Sequence, residues 1–271
     1  MFSRFFNLIY RNLKNFKSSL FYHYSKKYNK NYDIDISLSL VQKQFKDPQE
    51  QYALFHHYFW HNIPVWVRNH RAYYKDQQRG FGEDAFHAMW YLLINELRPS
   101  NLLEIGVYRG QVISLWSLIA KHLSITSDIH GISPFSNDGD EVSAYIDIDY
   151  YSDVINNFNH FSLPLPHLHC GYSTNPEMVA VIQSVKWDVI YIDGSHDYDI
   201  VKSDFEICSS SLSDQGVIIL DDSALNTAYD PPLYASAGHP GPSIVANEIN
   251  NNKFREILSI GHNRVFQLIR C

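Results

Sequence analysis

Cysteine is scarce in this sequence. The chain of 271 residues contains three cysteines, Cys170, Cys208 and Cys271, which are odd in number and far apart. This pattern argues against a disulfide framework and against a zinc site built from cysteines. We therefore expect a reducing, cytoplasmic environment.

A long apolar run is also lacking. A membrane-spanning helix needs about 18 or more consecutive apolar residues, and no such stretch occurs. Near the N-terminus, Arg4, Arg11, Lys14 and Lys17 interrupt the apolar core that a secretion signal requires. Neither a spanning helix nor a secretion signal is expected.

The sequence also has no excess of positive charge. The chain has 22 basic and 29 acidic residues and a net charge of −7. Because this charge gives no bulk attraction for phosphate backbones, nucleic acid is not an expected partner. The hydrophobic content of 45% is typical of globular proteins, and the length predicts one principal domain with appendages.

Residues 1–30 differ from the rest of the chain in charge and periodicity. They contain seven Lys and Arg residues and no acidic residue, and apolar residues recur every three or four positions from Phe2 to Tyr24. This spacing predicts a basic amphipathic helix. Two interpretations remain open. The helix docks on the protein or on a second copy in a homo-oligomer, or it lies peripherally on an anionic membrane surface.

Residues 31–83 are expected to form a helical or irregular cap. His56, His57 and His61 cluster there, and their spacing brings His57 and His61 onto one helical face. No nearby cysteine or acidic cluster completes a metal coordination shell. We interpret all three as structural histidines.

Residues 84–271 alternate between helical and strand patterns, beginning with a helix that ends before Pro99. The predicted strands are Asn101–Ile105, Ile125–Ile132, His167–Cys170, Trp187–Ile192, Gly216–Leu220, Phe254–Ile260 and Arg264–Ile269. The last two flank a turn at residues 261–263. The alternation predicts an α/β fold with a doubly wound, mostly parallel sheet that closes with an antiparallel hairpin.

The loop after the first predicted strand is suited to a ligand, since ligands of such sheets bind beyond the carboxyl ends of the strands. Glu104 supplies a hydrogen-bond acceptor, and Gly106 and Gly110 permit close approach. The Gly-x-x-x-Gly spacing departs from the Gly-x-Gly-x-x-Gly pattern that binds a dinucleotide pyrophosphate. An NAD-dependent dehydrogenase is therefore disfavoured.

Three carboxylates follow the fourth and fifth strands of the predicted sheet. Asp193 comes after the fourth strand, and Asp221 and Asp222 come after the fifth. If these strands are neighbours, mutual repulsion calls for a cation or for protons. An all-oxygen ligand set favours Mg²⁺ or Mn²⁺. The alternative is that Asp193 or Asp222 caps the following helix.

His196 lies one turn beyond Asp193 at the same strand end. Imidazole titrates near neutral pH, which suits a general base for a substrate hydroxyl. We predict that His196 is the catalytic base.

Three segments together carry a resemblance to a known family: Glu104–Gly110, Tyr191–His196 and Gly216–Asp222. They resemble class I S-adenosylmethionine-dependent methyltransferases, and most closely the metal-dependent O-methyltransferases. The first segment is similar to catechol O-methyltransferase, and the other two resemble macrolide-sugar O-methyltransferases. The resemblance covers residues 84–270 and implies a Rossmann-like fold with seven strands.

The resemblance also implies roles for individual residues. The implied cofactor-binding residues are Glu104, Gly106, Val107, Tyr108, Gly110, Ser133, Ser173 and Asp193. The implied ligands of Mg²⁺ or Mn²⁺ are Asp193, Asp221 and Asp222, and the implied base is His196.

One position departs from the family. Ser133 stands where the family has an acidic residue that holds the ribose hydroxyls of the cofactor. Replacing that charged contact by a hydroxyl costs about 1–2 kcal/mol of binding unless Asp138 or Asp140 reaches into the site.

The implied activity is methyl transfer from S-adenosylmethionine to a hydroxyl of a small-molecule or glycan acceptor. The Pro- and Gly-rich segment 230–243 is either a lid that presents Tyr234 and His239 to the acceptor or a stiff surface connection. The alternative function is a non-catalytic module with this fold, which the N-terminal helix recruits to a membrane or a complex.

Overall fold

The computed structural model describes residues 35–137, 145–233 and 235–269. The predicted amphipathic helix of residues 1–30 lies outside the described residues, as do Asp138, Asp140 and Tyr234. Among the helices within those ranges, none has both the length and the apolar composition needed to cross a bilayer.

The centre of the protein is a 7-stranded sheet. Its strands are β1 (Asn101–Ile105), β2 (Asp128–Ser133), β3 (His167–Cys170), β4 (Trp187–Ile192), β5 (Leu212–Leu220), β6 (Phe254–Ile260) and β7 (Asn263–Leu268). The strand order is β3-β2-β1-β4-β5-β7-β6. β7 is antiparallel to both of its neighbours, and the other pairs are parallel. The predicted Rossmann-like fold with a closing antiparallel hairpin is confirmed.

Helices cover both faces of the sheet and form the cap that precedes it. They are α1 (Leu38–Gln44), α2 (Pro48–His61), α3 (Val65–Lys75), α4 (Asp84–Leu97), α5 (Gln111–His122), α6 (Tyr150–His160), α7 (Pro176–Gln183), α8 (Tyr198–Ser210) and α9 (Pro240–Glu248). Asp47 caps α2 by accepting hydrogen bonds from the Gln49 and Glu50 amides. On α2, the rings of His57 and His61 stack with centroids 4.1 Å apart, which agrees with the predicted common face.

Three strands differ from their predicted bounds, and β7 is displaced by one residue from the predicted Arg264–Ile269. The predicted second strand begins at Ile125, but the Ile125 amide donates to the Ala120 carbonyl at 2.9 Å and so closes the C-terminal turn of α5. β5 begins four residues earlier than predicted, because Leu212 pairs with Trp187 across a register shift. A hydrogen bond to the preceding helix therefore decides the start of β2, and the pairing with β4 decides the start of β5.

An apolar cluster fills each face of the sheet. Trp116 and Phe158 belong to the first cluster, and Trp187 belongs to the second. Tyr52 and Phe55 of α2 are buried in the first cluster together with strand residues. The helical cap therefore shares its hydrophobic core with the sheet, and this shared core fixes α2 next to the strand ends.

Candidate active site

Three neighbouring strands bring acidic residues to one edge of the sheet. β1, β4 and β5 lie side by side, so Glu104, Asp193 and Asp221 converge at or just beyond their carboxyl ends. Backbone hydrogen bonds extend this order past the strands. The Asp193 amide donates to the Ile105 carbonyl at 2.8 Å, and the Asp221 amide donates to the Ile192 carbonyl at 3.0 Å.

Asp193 and Asp221 form a carboxyl pair. Their side chains lie close enough to interact directly. Burial raises the pKa of Asp193 well above its ordinary value, and the charge of Asp221 raises it further. The Tyr191 hydroxyl also hydrogen-bonds Asp221. The raised pKa of Asp193 favours its neutral form, which reduces the repulsion among the carboxylates.

Asp222 has a different environment, because it is surrounded by histidines. The His196 Nε2 atom is hydrogen-bonded to Asp222 Oδ2 at 3.0 Å, and His239 Nε2 lies 3.8 Å from the same oxygen. The rings of His196 and His239 are 4.1 Å apart. Burial acts to raise the pKa of Asp222, but the His196 hydrogen bond and nearby His262 lower it overall. Asp222 is therefore the ionised carboxylate of the group.

His262 is a site residue that the sequence analysis placed only in a turn. Its Nε2 atom lies 3.3 Å from Asp221 Oδ1, and its Nδ1 atom lies 3.8 Å from Asp222 Oδ1. Burial acts to lower the pKa of His262, but Asp221, Asp222 and Glu83 raise it overall. A protonated His262 places a positive charge beside both carboxylates.

The strand order explains how His262 reaches the site. β7 runs antiparallel to β5 and pairs Arg264 with Leu220. The turn that precedes β7 therefore lies at the same sheet edge as Asp221. The predicted antiparallel hairpin already placed His262 in a turn. Only the position of β7 next to β5 shows that this turn lies at the site.

The helical cap also influences the charge of His262. The Tyr52 hydroxyl of α2 donates a hydrogen bond to the Glu83 carboxylate, and Glu83 interacts electrostatically with His262. Burial raises the pKa of Glu83. Two cap residues, Tyr52 and Glu83, thus set the charge environment of a histidine in the site.

The alternative that the site carboxylates cap helices is wrong for the described helices. Asp197 occupies the N-cap position of α8, and His239 occupies that of α9. Asp193 and Asp222 cap neither helix, so their carboxylates remain directed to the cluster.

The loop after β1 approaches the carboxylate edge closely. Gly106 and Gly110 both have left-handed backbone angles, with φ of 100° and 76°. A Cβ atom at Gly106 would lie 2.0 Å from the Asp193 carbonyl oxygen. Gly110 is the N-cap residue of α5. Gly106 therefore allows the β1 loop and the β4 loop to pack backbone against backbone.

Glu104, at the base of this loop, is 3% exposed. Burial raises its pKa to about 8; a hydrogen bond from the Ile113 amide acts in the opposite direction, and the charge of Asp221 adds to the increase. The oxygen Oε2 of Glu104 is buried without a hydrogen-bond partner among the described residues. This oxygen is available to a donor on a ligand.

The other predicted cofactor residues of the loop differ in their surroundings. Val107 is buried, and a Cβ atom at Gly131 would lie 2.6 Å from its Cγ2 atom, so its side chain packs in the core. Tyr108 packs against Tyr145 and Tyr150, with ring centroids 5.9 and 5.3 Å away. Tyr108 therefore presents an aromatic surface beside the loop.

Ser133 and Ser173 lie at the ends of β2 and β3. Ser133 is buried, and its hydroxyl accepts a hydrogen bond from the Phe135 amide at 3.4 Å. Ser173 is buried beside Asp204 of α8. The structure thus places both serines at the same sheet edge as the β1 loop, and their assignment to the cofactor stays a prediction.

A substitution at Gly106 tests the close packing of the two loops. We expect Gly106→Ala to lower the free energy of unfolding by about 3 kcal/mol or more, because the left-handed conformation costs a non-glycine residue about 1–2 kcal/mol and the backbone clash adds to it. Gly194→Ala is the matched control, since its Cβ would meet Ile105 Cγ2 at 3.4 Å, an ordinary contact. Urea unfolding with equal midpoints for the two variants would contradict this packing.

Comparison with known proteins agrees with the fold. Residues 103–223 match the family model described as a methyltransferase domain. No curated protein matches the chain by sequence.

Solved structures share the architecture at low sequence identity. An SAH-bound methyltransferase of Podospora anserina is 13% identical, with a TM-score of 0.53 and coverage of 78% of this chain and 90% of that chain. An O-methyltransferase of Bacillus cereus in complex with SAH is 13% identical, with a TM-score of 0.52 and coverage of 82% and 99%. The O-methyltransferase TomG of Streptomyces achromogenes, in complex with SAM, is 11% identical, with a TM-score of 0.52 and the same coverage. At these identities the likeness establishes the fold.

The strand order and the polar carboxyl edge define a class I methyltransferase fold. The family match extends from β1 to the residues that follow β5, and so includes the β1 loop, Asp193, His196 and the Asp221–Asp222 pair. Residues 103–223 therefore form a region that matches a methyltransferase domain, within a chain that has the fold its motifs predicted.

Proposed function

We propose that this protein transfers the methyl group of S-adenosylmethionine to a hydroxyl oxygen of a sugar or another small metabolite. The observation that carries the proposal is the hydrogen bond of 3.0 Å between His196 and the ionised Asp222. This pair lies at the strand ends that bind ligands in open α/β sheets. Two proteins of the same fold, from Bacillus cereus and Streptomyces achromogenes, are described as O-methyltransferases.

His196 is suited to the role of base because Asp222 orients its ring. The carboxylate holds one ring nitrogen and stabilises the imidazolium that forms when the other nitrogen accepts the hydroxyl proton. The side chain of His196 is 22% exposed, so an acceptor can reach it. His239 lies beside it, with its Nε2 atom 3.8 Å from the same Asp222 oxygen, and is available to contact the same acceptor.

S-adenosylmethionine, when bound, supplies an activated methyl group with a neutral thioether as the leaving group. The residues of this chain hold the two reactants in line and manage one proton. Glu104 offers its unpartnered oxygen to a donor of the cofactor, and Gly106 and Gly110 let the cofactor approach the backbone. As the new O–C bond forms and the C–S bond breaks, His196 takes the hydroxyl proton.

A divalent cation fits the donor set of this edge. Asp221 Oδ1 is buried and lies 3.3 Å from His262 Nε2, so its surroundings already favour a positive charge. Asp193, Asp221 and Asp222 would hold the ion, which would lower the pKa of a bound hydroxyl. These three residues offer oxygen atoms, which suits Mg²⁺ or Mn²⁺.

Calorimetry and a transfer assay test the proposal in two stages. Titration with S-adenosylmethionine and with S-adenosylhomocysteine should show binding to the full chain. The protein is then incubated with S-adenosylmethionine that carries a deuterated methyl group and with a panel of sugars and phenols. Mass spectrometry should show that an acceptor gains one methyl group on oxygen. An absence of binding contradicts the cofactor assignment, and methylation on nitrogen or carbon alone contradicts the hydroxyl assignment. Comparison of EDTA-treated protein with and without added Mn²⁺ tests the cation.

A further inference from the structure

A second group of polar side chains lies at the opposite end of the sheet. Asp128 is the first residue of β2, His167 is the first residue of β3, and the register pairs His130 with His167. At about 3.3 Å per residue, Asp128 is about 16 Å from Ser133 at the other end of β2. The group is therefore separate from the candidate active site.

The three side chains meet at short distances. Asp128 Oδ1 lies 3.0 Å from His167 Nε2, and Asp128 Oδ2 lies 3.2 Å from His130 Nε2. One oxygen and two nitrogen atoms of this group all lie within 4.8 Å of one another. In a tetrahedral zinc site with bonds of about 2.0–2.1 Å, neighbouring ligand atoms are about 3.3 Å apart. The observed spacing is close to that of a zinc site.

A further histidine fixes the orientation of His130. The Nδ1 atom of His130 and the Nε2 atom of His169 are hydrogen-bonded at 3.0 Å. The ring of Trp187 packs at right angles to that of His130, with centroids 5.0 Å apart. Metal-binding histidines characteristically use one ring nitrogen for the ion and the other for such a partner. His130 thus has the second partner that a metal ligand requires.

Access to the group is open from solvent. The side chains of Asp128 and His167 are 54% and 61% exposed, whereas that of His130 is 15% exposed. An ion can therefore enter from the surface and meet a buried ligand whose orientation is already set. The open side leaves room for water as a fourth ligand.

The geometry points to a zinc site formed by Asp128, His130 and His167, with His169 as a positioning residue and water as the fourth ligand. Two imidazoles and one carboxylate suit Zn²⁺ and do not suit Mg²⁺, which prefers oxygen ligands. β3 has four residues and forms one edge of the sheet. The ion joins β2 to β3, so it fastens this short edge strand and takes no part in methyl transfer.

Zinc titration of the full chain, without an affinity tag and after removal of metals by a chelator, tests the site. His167→Gln and Asp128→Asn should each bind one equivalent of zinc fewer than the wild type and should lose the zinc-dependent increase in Tm at this site. Because the carboxylate edge can also take an ion, the decisive quantity is the difference in equivalents from the wild type. His160→Gln is the matched control, since His160 is an exposed histidine outside the group and should leave the count unchanged.

His169→Ala separates positioning from ligation. It should keep the number of zinc equivalents and weaken the affinity of one of them by about 10–100-fold, the range found for partners of metal-binding histidines. Circular dichroism before zinc addition checks that each variant is folded. If His167→Gln and Asp128→Asn, both folded, bind as many equivalents as the wild type with equal affinity, the zinc site is refuted.

Discussion

Replacing Asp222 with asparagine is expected to lower kcat/KM by about 10³-fold or more. The amide keeps the size of the side chain but removes the charge that stabilises a protonated His196, and losses of this size follow when a catalytic histidine loses its carboxylate partner. The affinity for S-adenosylmethionine should change by less than about threefold, because Asp222 is not among the predicted cofactor-binding residues. Steady-state kinetics and calorimetry measure the two effects separately.

Asp197→Asn is the matched control for this substitution. Asp197 lies one residue after His196, is exposed, and its side chain makes no capping hydrogen bond to the helix that it precedes. Its replacement should leave turnover within about twofold of the wild type. Wild-type turnover in Asp222→Asn would show that the His196–Asp222 pair is structural and would remove the base from the proposed mechanism.

Replacing Glu104 with glutamine is expected to stabilise the protein without cofactor and to weaken cofactor binding. Burial holds the pKa of Glu104 at about 8 in the folded state, against 4.5 for an unperturbed carboxyl. Below pH 4.5 the residue is protonated in both states and imposes no penalty. Between pH 4.5 and 8 the unfolded chain releases this proton more readily, so the stability falls as pH rises.

The expected gain in the free energy of unfolding for Glu104→Gln is about 2–3 kcal/mol at pH 7, and it should vanish near pH 4. Cofactor affinity should fall by at least about tenfold, since a donor of the bound cofactor would favour the ionised form of Glu104, and an amide cannot take that charge. Denaturant unfolding at both pH values and calorimetry at pH 7 measure these effects, with the exposed Glu50→Gln as the control. A stability gain that is equal at both pH values would contradict the raised pKa.

The strands of the central sheet were predictable because burial on both faces produces apolar runs. β1, β3, β4 and β6 have the predicted bounds. The start of β2 was not predictable, because Ile125 is apolar in either case and a hydrogen bond to the preceding helix decides its state. Local pattern thus determines which segments pair, whereas the ends of the segments depend on contacts between them.

The acidic residues of the candidate site were predictable because their positions follow from strand ends. Asp193 and Asp221 meet as expected from neighbouring strands. The contribution of His262 was not predictable from its own surroundings, because a Gly-His-Asn triplet is typical of a turn. Its position depends on the place of β7 beside β5, which is a property of the whole sheet.

The helical cap influences the charge of His262, because Tyr52 donates a hydrogen bond to Glu83 and Glu83 interacts electrostatically with His262. This influence limits which caps can replace the present one during evolution. A different helical cap grafted onto the same sheet would remove the acid that helps to keep His262 protonated. A chimera would therefore need a carboxylate at an equivalent place, or a compensating change at the hairpin turn. In this protein, a change of the helical cap therefore also changes the proton balance of the site.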